Sequence, residues 1–192
     1  EQPMAKKKKS NLLTMSVKLF LYSEVMAEAL GYVYSMTKEP IDQAKAKKVN
    51  DAISLVVPAF DNQPAAEKIV IEEGKLEMYP AKKGDELVGV AVKTYTDKAF
   101  SGEFSIMVGF LPDGTINNTA VLDQKETPGL GAKMVEPGFK DQFNKMHPEK
   151  NKITVKKDGG EVDAITASTI SSRAYCDAIA RAYNEFKKQF VK

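Results

Sequence analysis

The sequence predicts an α+β fold: a mostly antiparallel sheet flanked by helices, with an N-terminal helix of amphipathic or membrane-anchor character. Three observations lead there. Strand-like segments follow one another through the middle of the chain, separated by turn residues. A long segment of helical period closes the chain, and an apolar-rich stretch behind a lysine run opens it. The 192 residues suit one domain plus an appendage, and an apolar content of 43% is enough for a sizeable core.

Residues 1–41 form the first zone: Lys6-Lys7-Lys8-Lys9, an apolar-rich stretch over 12–36, then Lys38-Glu39-Pro40. A basic flank ahead of roughly 25 apolar-rich residues has the layout of a single membrane span with its lysines in the cytoplasm. Lys18, Glu24 and Glu28 oppose that reading, since each costs about 2.5–3.5 kcal/mol at the centre of a bilayer. On a helical wheel these three share an arc with Thr14, Gly31 and Ser35. Leu13, Val17, Phe20, Met26, Leu30 and Val33 lie largely outside it, as in an amphipathic helix. Three readings follow: a span whose polar stripe faces partner subunits, a helix lying on a surface, or a natural span altered to be soluble. A cleaved signal peptide is disfavoured, because no small-residue cleavage site follows the apolar run.

Residues 42–68 read as a linker. The spacing predicts a helix over 44–57, with Ala44, Val49, Ala52, Ile53 and Val56 on one side and Pro58 ending it. Asp61-Asn62-Gln63-Pro64 is a loop. Residues 69–192 should be the folded domain. Strands are expected over 68–72, 76–79, 87–95, 104–111 and 116–124, the last two joined by the turn Pro112-Asp113-Gly114. Val88, Val90 and Val92 alternate with Gly89, Ala91 and Lys93, the pattern of a strand with one covered face. A short helix over 139–146, a strand over 153–156 and a long helix over 170–190 complete the domain.

Composition narrows the chemistry. With 28 Lys+Arg against 26 Asp+Glu the net charge is +2, which gives no reason to expect nucleic-acid binding. One cysteine, Cys176, excludes a disulfide framework and a cysteine-based zinc cluster. One histidine, His147, excludes a multi-histidine metal site. No metal ligand set and no acid/base pair of the chain's own is expected. What remains favours a bound cofactor that brings the chemistry with it.

Two patterns point to where such a cofactor would sit. Glu126-Thr127-Pro128-Gly129-Leu130-Gly131 follows a predicted strand. Its glycines permit positive φ and close approach to a ligand, Thr127 offers a hydroxyl, and Leu130 an apolar surface suited to a flat ring. Read alone, it fits a tight surface loop with no ligand better. The second pattern is Asp163-Ala164-Ile165-Thr166-Ala167-Ser168-Thr169, then Ile170-Ser171-Ser172-Arg173. Hydroxyl residues here crowd the start of a helix, where free amides and the positive dipole end favour an anion. Ordinary N-capping uses the same residue types.

Together the two patterns resemble the FMN-binding domain shared by the G subunit of the Rnf electron-transport complex and the C subunit of the Na⁺-translocating NADH:quinone reductase. That family's Asp-x-x-(Ser/Thr)-Gly-Ala-Thr motif carries FMN through a phosphoester on its last threonine, installed by a separate flavin transferase. The resemblance implies that Asp163 matches the aspartate, Thr166 the hydroxyl residue and Thr169 the FMN acceptor. The family's Glu-Thr-Pro-Gly-Leu-Gly loop matches residues 126–131 without a change. The resemblance extends to Ser101-Gly102, the Asp113-Gly114 turn and the lysine-flanked N-terminal segment. Ala167 stands where the family has glycine, and Ser168 where it has alanine.

The expectation is an electron-relay flavoprotein subunit of an Rnf-type ferredoxin:NAD⁺ oxidoreductase in a bacterial inner membrane. It would be anchored through residues 12–36 as a single pass, with its folded domain on the periplasmic side among other redox subunits. Cofactor-binding residues would be Thr169, Asp163, Thr166, Ser168, Glu126, Thr127, Leu130 and Gly131. The alternatives are the equivalent quinone-reductase subunit, a non-catalytic assembly module without flavin, and a free-standing flavin reductase. The last is disfavoured because no dinucleotide-binding glycine fingerprint is present.

Overall fold

The computed structural model describes residues 11–71 and 75–190. Lys6-Lys7-Lys8-Lys9 and the end of the first predicted strand at Glu72 lie outside the described residues. The chain divides into two compact units, one ending at Ala46 and the other beginning at Lys47.

A single helix, α1 (Leu12–Val56), replaces the two helices expected on either side of Lys38-Glu39-Pro40. Pro40 lies inside it. A proline there deprives the Met36 carbonyl of its helical partner. Met36 is 67% exposed, so the helix continues at a place open to solvent. From Leu12 to Met36 the large apolar side chains are all exposed. Val17, Leu21 and Val25 fall, by helical angle, inside the arc of Lys18, Glu24 and Glu28, so apolar side chains surround the helix more fully than the expected stripe. Among the described residues, no helix is long and apolar enough to cross a membrane.

Within the second unit, five strands form an antiparallel meander in chain order: β1 (Ile69–Ile71), β2 (Leu76–Lys83), β3 (Glu86–Thr96), β4 (Phe104–Phe110) and β5 (Ile116–Asp123). β2 runs four residues past its predicted end, through Pro80. β1 pairs with β2 only as far as Met78. Beyond that point the loop takes over: the Asp61 amide donates to the Lys82 carbonyl (2.9 Å), and the Asn62 amide group donates to the Pro80 carbonyl (3.0 Å). Proline's missing N–H therefore falls where no ladder bond is needed.

Both faces of the sheet are covered, whereas the alternation in β3 predicts one. Val90 and Val92 join Met78, Ile106 and Val108 beneath α3 (Thr169–Phe190). Ala91, Tyr79 and Met107 pack against Ala52, Ile53 and Val56 at the end of α1. Small residues read as the polar-side alternates are thus a second core. Register shifts between Ala81 and Lys82, and Val88 packs with the α1-side cluster instead of beside Val90 and Val92. Asn117 and Asn118 of β5 donate to the Val56 and Leu55 carbonyls (2.8 and 3.2 Å), satisfying the end of α1.

α3 approaches the sheet through Ala174, Ala178 and Ala182, whose small size lets the Thr94 hydroxyl reach the Ala178 carbonyl (3.2 Å). The segment predicted as a helix over 139–146 is shorter and broken: α2 (Pro137–Lys140) passes into a 3₁₀ turn over Asp141–Phe143. Phe139 and Phe143 both pack on the Tyr175 ring (5.3 and 5.2 Å between centroids). The strand expected over 153–156 reduces to one bridge, Val155 to Val162, because Gly159-Gly160 turns the chain at once. His147 is half-buried, its Nδ1 accepting from the Glu149 amide (3.2 Å) and its Nε2 bonding the Asp113 carbonyl (2.9 Å).

Candidate functional site

Three loops meet at the first turn of α3. Residues 126–131 leave β5, residues 163–169 lead into α3, and residues 100–101 lie in the connection between β3 and β4. Between them is a pocket of about 330 Å³ lined by Phe100, Glu126, Thr127, Leu130, Gly131 and residues 167–171. That volume lies within the range of small-molecule sites, roughly 300–1,000 Å³.

Glu126 holds the loops together. It is 5% exposed, and its carboxylate accepts from the Ser101 amide (3.0 Å) and from the Ser171 hydroxyl (2.9 Å). One side chain therefore ties the β3–β4 connection and α3 to the glycine-containing loop. A negative charge beside the first turn of a helix is favourably placed. Gly131 is required by this arrangement. A Cβ there would lie 2.4 Å from Glu126 Oε2 and 2.7 Å from Ser171 Oγ. The loop itself is a tight turn, with the Leu130 and Ala132 amides donating to the Thr127 carbonyl (3.1 and 3.3 Å).

The loop over 163–169 is pinned from both ends. Gln142 brackets Asp163, accepting from its amide (2.8 Å) and donating to its carbonyl (3.2 Å). The buried Ser172 hydroxyl accepts from the Ile165 amide and donates to the Ser168 carbonyl, both at 2.9 Å. Ala167 has φ 60°, in the left-handed region. This conformation costs an L-residue about 1–2 kcal/mol. Ser168 turns inward and is 8% exposed, and Thr169 opens α3 half-exposed in the pocket wall. The first helical bond runs from the Ser172 amide to the Ser168 carbonyl (3.1 Å), so the amides of Thr169, Ile170 and Ser171 precede the helical ladder.

Of the residues singled out by sequence, Glu126, Thr127, Leu130, Gly131, Ser168 and Thr169 line one pocket. Asp163 and Thr166 do not; both are exposed, and Asp163 pairs with Lys156 (2.7 Å). Arg173, one turn into α3, is held by Asp158 through two bonds (2.6 and 2.7 Å). That guanidinium keeps the Asp158 carboxyl below the usual range. Cys176 is buried, and burial pushes its thiol up to about 12, so it stays protonated at neutral pH.

Sequence reasoning missed Phe100 and Ile170. They are 70% and 48% exposed, and with Leu130 (41%) they give the pocket an apolar rim. Ile170 heads a helical row whose other members are core, which hid its role. Phe100 sits in a connection with no periodicity to mark it. The residues present fit an FMN: a rim for a flat ring, polar groups beneath it, and a hydroxyl at a helix N-terminus for a phosphate.

Residues 100–184 match the family model of the FMN-binding domain. The chain is 34% identical over 176 residues to the G subunit of the Na⁺-translocating ferredoxin:NAD⁺ oxidoreductase complex of Acetobacterium woodii, covering 84% of each chain. It is 30% identical over 179 residues to the G subunit of the ion-translocating oxidoreductase complex of Erwinia tasmaniensis, covering 86% of this chain and 85% of that one. Among solved structures, the C subunit of the Na⁺-translocating NADH-quinone reductase of Parabacteroides distasonis shares the fold, with a TM-score of 0.51 and 17% identity over 76% of this chain and 84% of that chain. The chain belongs to the G-subunit family of ion-translocating oxidoreductase complexes, and its pocket lies within the segment that matches the FMN-binding domain.

Proposed function

We propose that the chain is the electron-relay subunit of an ion-translocating ferredoxin:NAD⁺ oxidoreductase complex, carrying FMN through a phosphoester on Thr169. The observation that carries this reading is the placement of the Thr169 hydroxyl. It stands in the wall of an apolar-rimmed pocket, at the first residue of a 22-residue helix, opposite the loop over 126–131.

When bound, FMN supplies one- and two-electron redox chemistry. The chain's share is to hold and orient it. Phe100, Leu130 and Ile170 present apolar surface to a ring and keep water from one side of it. The amides ahead of the first helical bond and the α3 dipole stabilise a phosphate on Thr169. Glu126, fixed by Ser101 and Ser171, keeps the two walls in register. Asp163 and Thr166, exposed on the outer side of the loop, suit recognition by a separate flavin transferase better than contact with the flavin.

Residues 12–36 supply the attachment to the membrane complex. Apolar side chains on every side of a helix call for burial, here among neighbouring subunits or lipid. Lys18, Glu24 and Glu28 would face those subunits, with the folded domain on the periplasmic side.

The test is to produce the chain together with a flavin transferase, denature it, and read flavin fluorescence in the protein band. Wild type and Thr169→Ser should fluoresce, and Thr169→Ala should be dark with an unchanged circular dichroism spectrum. A dark wild type, or an equally bright Thr169→Ala, overturns the assignment. The first of these outcomes favours an assembly module without flavin.

A further inference from the structure

The cations around the start of α3 are committed in a pattern that leaves one of them directed at the acceptor hydroxyl. The 3₁₀ turn Lys156–Asp158 packs beside the helix start and carries three charges in a row. Lys156 bonds Asp163 at 2.7 Å, and Asp158 is gripped by Arg173. Lys98, in the connection between β3 and β4, bonds Asp177 further along α3 at 2.6 Å. Lys157 instead places its Nζ 3.4 Å from Thr169 Oγ1. That distance is long for a hydrogen bond to a neutral hydroxyl. It suits an ammonium standing off from an ester oxygen, from where it would reach phosphoryl oxygens two bonds further out.

We propose that Lys157 is the positioning cation for the phosphate on Thr169, closing with the α3 amides a cradle that fixes the cofactor's tail and so the plane of its ring. The inference rests on the assignment of Thr169 as the FMN acceptor. The diester keeps one negative charge. The free amides of Thr169, Ile170 and Ser171 would hold it from the helix, and Lys157, beside the hydroxyl, would hold it from the turn. The neighbouring ion pairs serve this arrangement. Asp158 is bonded by Arg173 and Asp163 by Lys156, so the hydrogen-bonding capacity of both carboxylates is taken up by other cations, and Asp158 acts on the Lys157 ammonium only through its charge.

The experiment compares wild type, Lys157→Gln, Lys157→Arg and Lys187→Gln. Lys187 pairs with Glu149 near the far end of α3 and serves as a charge control. Each full-length chain is produced with the transferase. Flavin loading is followed by intact mass, and the loaded chains are compared by ³¹P NMR and thermal melting. Lys157→Gln should load up to about fivefold more slowly, the worth of one partly exposed charge contact. Its diester ³¹P resonance should shift, with an unchanged melting temperature. Lys157→Arg should restore both readouts, and Lys187→Gln should match wild type. A loaded Lys157→Gln whose ³¹P resonance coincides with wild type overturns the inference, whatever its loading rate. Slow loading with an unshifted resonance would assign Lys157 to transferase recognition instead. A wild-type chain that takes no flavin at Thr169 overturns the acceptor assignment itself, a separate result.

Discussion

The two loops that wall the pocket solve one backbone problem in different ways. Each contains a residue in the left-handed region: Gly129 with φ 78° and Ala167 with φ 60°. The first loop uses glycine, and no atom lies within 4 Å of where its Cβ would be. It is held by its own turn and by Glu126. The second uses alanine in the same kind of conformation. Its strain is borne by outside anchors: Gln142 on Asp163, and Ser172 on Ile165 and Ser168. A self-stable turn and a turn held under strain therefore face each other, and the proposed acceptor hydroxyl emerges from the strained one. Backbone strain of this kind clusters at functional sites, where surrounding structure over-determines it.

The comparison breaks most severely if the anchor that ties the first loop to α3 is removed. Gly131→Ala drives a Cβ into the Glu126 carboxylate, displacing it from Ser101 and Ser171. A loss of about 2–3 kcal/mol by urea denaturation is expected. Ser172→Ala acts on the strained loop alone. It leaves the Ile165 amide without its acceptor, and should cost about 2 kcal/mol. Wild-type stability in either variant would mean that these bonds do not hold the loops.

The sharpest contrast comes from exchanging the two residue types. Ala167→Gly should stabilise the chain by about 0.5–1 kcal/mol, relief of strain outweighing the greater entropy of the unfolded glycine chain. Gly129→Ala should destabilise it by about the same amount, through conformation alone. Equal signs for the two changes in thermal melting would refute the parallel.

The smallest effect is electrostatic. Arg173 holds the Asp158 carboxyl below its ordinary value, so the pair's contribution is complete above about pH 4 and fades as pH falls through the folded-state value. The melting-temperature gap between wild type and Asp158→Asn should narrow on acidification from pH 7 to pH 3. A gap constant with pH would show that the ion pair contributes nothing.

Much of the sheet was legible because strand periodicity and turn chemistry are local. Val90 and Val92 sit where alternation put them, and Pro112-Asp113-Gly114 joins β4 to β5. The opposite face was harder to read. Ala91 and Ala81 look like neutral spacers until the end of α1 covers them. Pro40 misled in the other direction, since a proline in an exposed stretch weakens a helix without always ending it. At the site, the residues named by motif largely share one pocket, whereas Phe100 and Lys157 come from connections without a pattern. Their contribution depends on tertiary placement that no spacing encodes.

The position of one bond decides the relay assignment most directly. Cleavage after Lys157 and Arg173 yields a peptide containing Thr166, Ser168, Thr169, Ser171 and Ser172. Fragmentation of that peptide from the transferase-treated chain should place the mass of FMN, less one water, on Thr169 alone. The same mass on Ser168 or Thr166, or an unmodified peptide in a chain that keeps its flavin only until denatured, would contradict it.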